Sequence, residues 1–161
     1  MIYALDTNVL LDVLYATEDH HQRSKKVLEE ASQDGTFIVS PEVYAELVSA
    51  FAEKCEAPQE EATTFLEEEG IVVKEHSRDS LARSGTAWSE YDASGSVECS
   101  SCGTEQHFTC EACSEPVTWR NHMITDFLIG GHAETHADRL ITRDEGYFGT
   151  YFDMPVHYPA T

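Results

Sequence analysis

The sequence has few basic residues and no long apolar run. Its 161 residues include only 10 Lys and Arg, against 30 Asp and Glu. The longest apolar runs, such as residues 71–73, are far shorter than the roughly 20 residues that a membrane-spanning helix needs. Residues 1–5 lack the basic segment and the small-residue cleavage site of a secretory signal. We therefore expect a cytoplasmic protein with no membrane partner.

The shortage of basic residues gives a formal net charge of −20 at pH 7. Such a charge is compatible with intrinsic disorder or with a folded, strongly hydrated surface. Seven Phe, seven Tyr and two Trp supply core material that disordered acidic chains usually lack, which favours a folded protein. The acidity is spread along the chain, in a halophile-like manner, and concentrated salt would screen the repulsion. This hypothesis predicts weak folding at low salt.

The lack of a basic patch is unusual for a protein that binds nucleic acid. In concentrated salt, however, long-range repulsion is screened, and divalent cations held by carboxylates can bridge protein and phosphate. The charge therefore does not exclude a nucleic acid substrate.

Short apolar segments alternate with amphipathic segments along the chain. The apolar segments have the β-branched and aromatic composition of buried strands, and the segments between them repeat apolar residues at helical spacing. The predicted strands cover residues 2–5, 36–39, 71–73 and 140–142, with a short edge strand at 155–157. This alternation predicts a single α/β domain over residues 1–161, in which helices cover both faces of a central parallel sheet as three α/β/α layers.

Four acidic residues border the predicted strands. Asp6 follows the first strand and Asp144 follows the fourth, while Glu46 and Asp126 project from helices next to the second and fourth strands. Because the carboxyl ends of parallel strands share one edge of a sheet, these side chains could form a four-carboxylate cluster. Such a cluster suits Mg²⁺ or Mn²⁺, which prefer oxygen ligands and can activate water near a phosphodiester. Each acid taken alone has a simpler structural explanation, such as capping of a helix by Asp6.

The residues around these acids resemble the motifs of one nuclease family. Residues 4–12 (ALDTNVLLD), 44–47 (YAEL), 124–133 (ITDFLIGGHA) and 140–148 (LITRDEGYF) are similar, in this order, to the four acidic motifs of PIN-domain nucleases, especially the toxins of type II toxin–antitoxin modules. The resemblance covers about residues 1–92 and 120–157. It implies Mg²⁺- or Mn²⁺-dependent cleavage of RNA by activated water, without a covalent intermediate.

The same resemblance implies roles for individual residues and for partners. Asp6, Glu46, Asp126 and Asp144 would be metal ligands. Asn8 and Thr142 would orient ligands or water by hydrogen bonds, although Asn8 could simply cap a helix and Thr142 could simply end a strand. The resemblance also implies an RNA substrate, an antitoxin protein as partner, and a homodimer.

Two adjacent glycines, Gly130 and Gly131, lie inside the helix that carries Asp126. A glycine in a helix costs about 1 kcal/mol relative to alanine. The pair therefore indicates close packing at a place where side chains would not fit, which would position Asp126.

Four of the five cysteines form two Cys-x2-Cys pairs within a predicted insert at residues 94–118. The pairs are Cys99 with Cys102 and Cys110 with Cys113. This spacing predicts a Zn²⁺ site, and four thiolates complete a tetrahedral zinc without leaving an open position, so the site would be structural. Two disulfides are an alternative that a reducing cytosol disfavours. An iron–sulfur cluster is a further alternative, less favoured than the disulfides. His107 is an alternative ligand, and Cys55 is expected to be an isolated thiol.

The role of this zinc knuckle has several alternatives at the sequence level. It could contact RNA, support dimerisation or antitoxin docking, or only stabilise a long loop. A zinc element combined with a PIN domain also resembles archaeal endonucleases that process ribosomal RNA, in which the zinc ribbon usually follows the domain.

Two hypotheses from other classes compete with the nuclease. His132, Glu134 and His136 superficially resemble a zinc protease motif, but that motif requires the glutamate directly after the first histidine. We expect these histidines at the surface or at a helix end. The chain could also be a non-catalytic, zinc-containing module that binds protein or RNA, but the order of the four acidic motifs argues against it.

Overall fold

The structure is a computed structural model that describes residues 1–15, 20–92, 97–98, 104–115, 123–144 and 146–159. Within these ranges, strands and helices alternate along most of the chain. The elements are β1 (Ile2–Leu5), α1 (Thr7–Leu14), α2 (His21–Ala31), β2 (Thr36–Val39), α3 (Pro41–Ala52), α4 (Pro58–Glu68), β3 (Ile71–Val73), α5 (Arg78–Asp92), β4 (Val97–Glu98), β5 (Glu105–Gln106), α6 (Thr125–His136), β6 (Arg139–Ile141), α7 (Tyr147–Tyr151) and β7 (Val156–His157).

A five-stranded sheet with the order β3-β2-β1-β6-β7 forms the centre of the protein. Each neighbouring pair of its strands is parallel. The prediction of an α/β fold with a central parallel sheet is therefore confirmed. In the parts of the chain that the structure describes, no helix is long and apolar enough to cross a membrane.

The local sequence explains where the helices next to the two central strands begin. Asp6 follows β1 in an extended conformation and caps α1, because its carboxylate accepts a hydrogen bond from the Thr7 backbone N–H. Ser40 follows β2 and caps α3, because its hydroxyl oxygen accepts from the Val43 backbone N–H; Pro41 occupies the first turn. Both helices therefore start at the carboxyl edge of the sheet.

Two short strands within residues 94–118 form a small second sheet. Strands β4 and β5 pair in antiparallel fashion, with Val97 opposite Gln106 and Glu98 opposite Glu105. These strands were not predicted from the sequence, since two residues are too few to show a period. Cys99 and Cys102 lie outside the described residues.

Helices α5 and α6 have the most extensive contact between two elements. A Cβ on Gly131 would collide with the Ser84 side chain and lie 2.7 Å from the Ser80 carbonyl oxygen, and a Cβ on Gly130 would collide with the Phe152 ring. The two glycines thus allow α6 to approach α5 and Phe152 closely. Helix α6 begins at Thr125, and residues 116–122 are outside the described ranges.

Candidate active site

The predicted acids lie at the carboxyl edge of the sheet or on helices next to it. Strands β1 and β6 are neighbours, and the Asp6 backbone N–H donates to the Ile141 carbonyl at 3.1 Å. This pairing places Asp6 beside the segment that contains Thr142 and Asp144. Glu46 lies in α3, which follows β2, and Asp126 is the second residue of α6.

Asp6 is buried and accepts three hydrogen bonds. Its Oδ1 accepts from the Thr7 backbone N–H at 2.7 Å. Its Oδ2 accepts from Asn8 Nδ2 and from Thr142 Oγ1, the latter at 2.5 Å. Asn8 therefore does not cap α1, since Asp6 does, and the Thr142 hydroxyl is engaged with Asp6. Both side chains hold the Asp6 carboxylate in one orientation.

The segment after β6 is tied to the same network. The Asp144 backbone N–H donates to Thr142 Oγ1 at 3.0 Å, and the Asp144 carboxylate accepts from the Gly146 N–H at 2.7 Å. Asn8 Nδ2 also lies 3.1 Å from Thr142 Oγ1. Thr142 thus connects two of the acids, because it donates to Asp6 and accepts from the Asp144 backbone.

Thr7 is a site residue that was not predicted from the sequence. Its hydroxyl donates to Glu46 Oε2 and thereby links the start of α1 to α3. The signal that could have identified it is its position between Asp6 and Asn8. The choice of Glu46 as its partner depends on how α3 packs against α1, which the local sequence does not specify.

The pKa values show that the four carboxylates lie within electrostatic reach of one another. Burial and the charges of Asp6, Asp144 and Glu46 raise the pKa of Asp126 to about 7. Burial also raises the pKa of Asp6 to about 6, although the hydrogen bonds from Thr142 and Thr7 oppose this rise. The pKa of Asp144 is raised by burial as well, against the hydrogen bond from Gly146.

The carboxylate oxygens are suitable ligands for a hard divalent cation, but they do not form a complete metal site in this arrangement. All four groups are carboxylates, which are the preferred ligands of Mg²⁺ and Mn²⁺. Their mutual repulsion would be relieved by a cation between them. Among the described residues, however, no three His, Cys, Asp or Glu side chains are placed so that they could hold a metal ion directly. The side chains would have to close in for binding.

The family follows from a match over most of the chain. A sequence model of the PIN domain matches residues 3–152. The chain belongs to the PIN domain family. A comparison with curated proteins gives no match.

Several solved structures share the fold of this PIN domain. One is VapBC2 from Rickettsia felis bound to a DNA fragment from its promoter, with a TM-score of 0.65, 19% identity and 98% of both chains covered. Another is DNA-bound VapBC from Salmonella typhimurium, with a TM-score of 0.62, 18% identity and 99% of both chains covered. A third is VapC20 from Mycobacterium tuberculosis, a Sarcin-Ricin loop cleaving toxin, with a TM-score of 0.56, 14% identity and coverage of 94% of this chain and 96% of that chain. Because the sequence identities are this low, these comparisons show that the folds are alike and nothing more.

The histidines of α6 differ from expectation in one respect. His132 is buried in this PIN domain, whereas the sequence predicted a surface or helix-end position. Its Nε2 lies 2.8 Å from the Lys74 carbonyl oxygen, and its ring contacts those of His76 and His136. Burial lowers the pKa of His132 to about 4, so the ring is neutral at pH 7. His136, as predicted, ends the helix.

Glu134 does not take part in a protease-like site. Its carboxylate pairs with Arg83 Nε at 2.6 Å and accepts from the Asp153 N–H at 3.2 Å. These contacts join α6 to α5 and to the segment after α7. They give Glu134 a structural role in the PIN domain.

The second cysteine pair, Cys110 and Cys113, lies in a tight turn a few residues after β5. The Ser114 N–H donates to the Cys110 carbonyl, and Ser114 has a positive φ of 62°. The backbone N–H groups of Cys113 and Ala112 lower the pKa of the Cys110 thiol. The turn thus favours a thiolate at Cys110. Neither Cys110 nor Cys113 is in a disulfide, and the same is true of the half-buried Cys55.

Proposed function

We propose that this PIN domain is a metal-dependent endoribonuclease and the toxin of a toxin–antitoxin pair. The observation that carries the proposal is the hydrogen-bond network at the carboxyl edge of the sheet, in which Thr142 links Asp6 to the backbone of Asp144 and Thr7 links α1 to Glu46. The raised pKa values of Asp6 and Asp126 support it, because burial, together with the charges of the neighbouring acids, disfavours their charged forms, and a bound cation would relieve that cost.

The four carboxylates would hold Mg²⁺ or Mn²⁺. A bound cation of this kind lowers the pKa of a water molecule and stabilises negative charge on a phosphodiester. The chain itself orients the carboxylates. Thr142 and Asn8 donate to Asp6, Thr7 donates to Glu46, and Gly146 donates to Asp144. RNA would bind through its phosphates at this edge, and water would attack without a covalent intermediate on the protein.

We further propose an antitoxin protein as partner. Support comes from the fold, which this chain shares with VapBC assemblies from Rickettsia felis and Salmonella typhimurium. RNA as the substrate is supported by the fold shared with VapC20, a Sarcin-Ricin loop cleaving toxin. A homodimer, the three-layer arrangement of a single domain over residues 1–161, and a salt-adapted surface stay predictions.

The insert at residues 94–118 is proposed to hold one structural Zn²⁺ through Cys99, Cys102, Cys110 and Cys113. The backbone N–H groups that face the Cys110 thiol support this proposal, because zinc binds thiolates. We expect the purified protein to contain one zinc per chain by elemental analysis, and Cys110→Ser to contain none. Cys55→Ser is the matched control and should keep the zinc. Zinc-free protein with oxidised cysteine pairs would contradict the proposal.

The nuclease proposal is tested with purified protein, a labelled RNA and its DNA counterpart in concentrated salt. We expect internal cleavage of the RNA with Mn²⁺ or Mg²⁺, no cleavage with a chelator, and recovery when Mn²⁺ alone is added back. The order of addition matters, since a chelator could also remove structural zinc. RNA binding without cleavage under every metal condition would instead support a non-catalytic module.

A further inference from the structure

Helix α1 contacts both the backbone and the side chain of Arg143. The Arg143 backbone N–H donates to Asn8 Oδ1 at 3.0 Å, and the Arg143 Nε atom lies 2.7 Å from Asp12 Oδ2. Asn8 and Asp12 are four residues apart in α1, so their side chains lie on the same side of the helix. Arg143 itself lies between Thr142, which donates to Asp6, and Asp144.

Asp12 is a buried carboxylate with a fixed orientation. Its side chain is 2% exposed, and Ser24 Oγ in α2 donates to its Oδ2 at 2.6 Å. Helix α2 also contacts the Asp12 backbone, because His21 Nδ1 lies 2.7 Å from the Asp12 carbonyl oxygen. A buried charge requires a counter-charge, and Arg143 provides it.

The contact between the two side chains is an ion pair without an aligned hydrogen bond. Arg143 Nε is buried and has no hydrogen-bond partner among the described residues, despite its short distance from Asp12. The Arg143 side chain is 34% exposed, so only one end of the pair reaches the surface.

We propose that the Asp12–Arg143 ion pair is a positioning element of the active site, a role that rests on the nuclease function proposed above. The ion pair anchors the backbone of residues 142–144 to α1. Thr142 then stays within reach of Asp6, and Asp144 stays next to the other acids. Asp12 and Arg143 are positioning residues that act through Thr142, Asp144 and Asn8.

The test measures Mn²⁺ binding separately from cleavage. Without RNA, the rise in unfolding temperature is recorded as Mn²⁺ is added; with RNA, the Mn²⁺ concentration for half-maximal cleavage is recorded. Each measurement gives the Mn²⁺ concentration at which half of the effect is reached. In Asp12→Asn and Arg143→Gln, both of these half-maximal concentrations should rise roughly 10-fold or more, the usual effect of losing residues that orient metal ligands. The cleavage rate at saturating Mn²⁺ should fall less, and Arg143→Lys should recover part of the Mn²⁺ affinity.

A second ion pair, between Arg83 and Glu134, provides the control. Glu134→Gln removes the ion pair with Arg83, which joins α5 to α6. The side chains of Glu134 and Arg83 are 20% and 26% exposed, respectively. It should lower stability without changing the Mn²⁺ concentrations. In the double variant Asp12→Asn/Arg143→Gln, the shift should be no larger than in either single variant, because the two residues act as a unit.

Two outcomes would overturn the positioning role, and a third would overturn both proposals. If the Asp12 and Arg143 variants keep the wild-type Mn²⁺ concentrations, or change them only as much as Glu134→Gln does, the pair is purely structural. If the wild-type protein neither binds Mn²⁺ nor cleaves RNA, the nuclease proposal fails as well.

Discussion

Replacement of Asp6 by asparagine should reduce Mn²⁺-dependent RNA cleavage roughly 100-fold or more, since residues that merely orient metal ligands are already worth 10- to 100-fold. Asparagine has the same size and can still accept from the Thr7 N–H, so α1 keeps its cap. It lacks the charge, however, and its amide group would face the donors Asn8 Nδ2 and Thr142 Oγ1 in place of an acceptor. The loss should therefore concern the site and not the fold.

The matched control for this variant is Asp79→Asn, which makes the same chemical change at an exposed position in the first turn of α5. Cleavage by this variant should equal that of the wild type. Thermal unfolding of all three proteins would show whether Asp6→Asn is folded. A folded Asp6→Asn protein that cleaves RNA at the wild-type rate would rule out the four-carboxylate cluster as the catalytic site.

The second large effect concerns the stability of the metal-free protein as a function of pH. The pKa of Asp6 is about 6 and that of Asp126 about 7 in the folded state, against 3.8 for an ordinary aspartate. Between about pH 4 and pH 7 the folded protein thus binds more protons at these groups than the unfolded chain does. Their contribution to stability falls as the pH rises, by several kcal/mol in total.

This effect must be measured as a difference between proteins, because His132 acts in the opposite direction. Its pKa is lowered to about 4, so its contribution is lost as the pH falls from about 6.5. The free energy of unfolding should be measured in concentrated salt for the wild type and for Asp6→Asn/Asp126→Asn. The variant should gain stability relative to the wild type as the pH rises, and Asp79→Asn should not.

Addition of Mn²⁺ should reverse the trend for the wild type. The cation binds ionised carboxylates, so its stabilising effect should increase with pH and be absent from the double variant. If the wild type and the double variant had parallel pH profiles, the raised pKa values would be contradicted. A stabilising effect of Mn²⁺ on the double variant would point to a cation site elsewhere.

The parts of the fold that could be predicted from sequence are those with strong local signals. Strands β1, β2 and β3 have the predicted bounds, because each is a short apolar segment that ends at a polar or helix-starting residue. The position of Asp6 follows from the end of β1. The order of the strands in the sheet then brings Asp6 next to Asp144, which a parallel arrangement already implied.

Contacts that depend on the packing of two elements were not predictable. The bond from Thr7 to Glu46 requires the relative placement of α1 and α3, and the Asp12–Arg143 ion pair requires that of α1 and the segment after β6. The burial of His132 was missed for a related reason. Helix α6 contacts α5, α3 and β1, so its buried residues do not fall on one stripe that a sequence period would reveal.

The fit between α5 and α6 also bears on the long segment that connects them. Because Gly131 sets the approach of α6 to α5, the positions of the two helices depend on their packing and not on the connecting segment. Closing a loop between fixed ends costs only about 0.6 kcal/mol more for each doubling of its length. Changes in the length of this segment should therefore cost little stability and leave Asp126 in place.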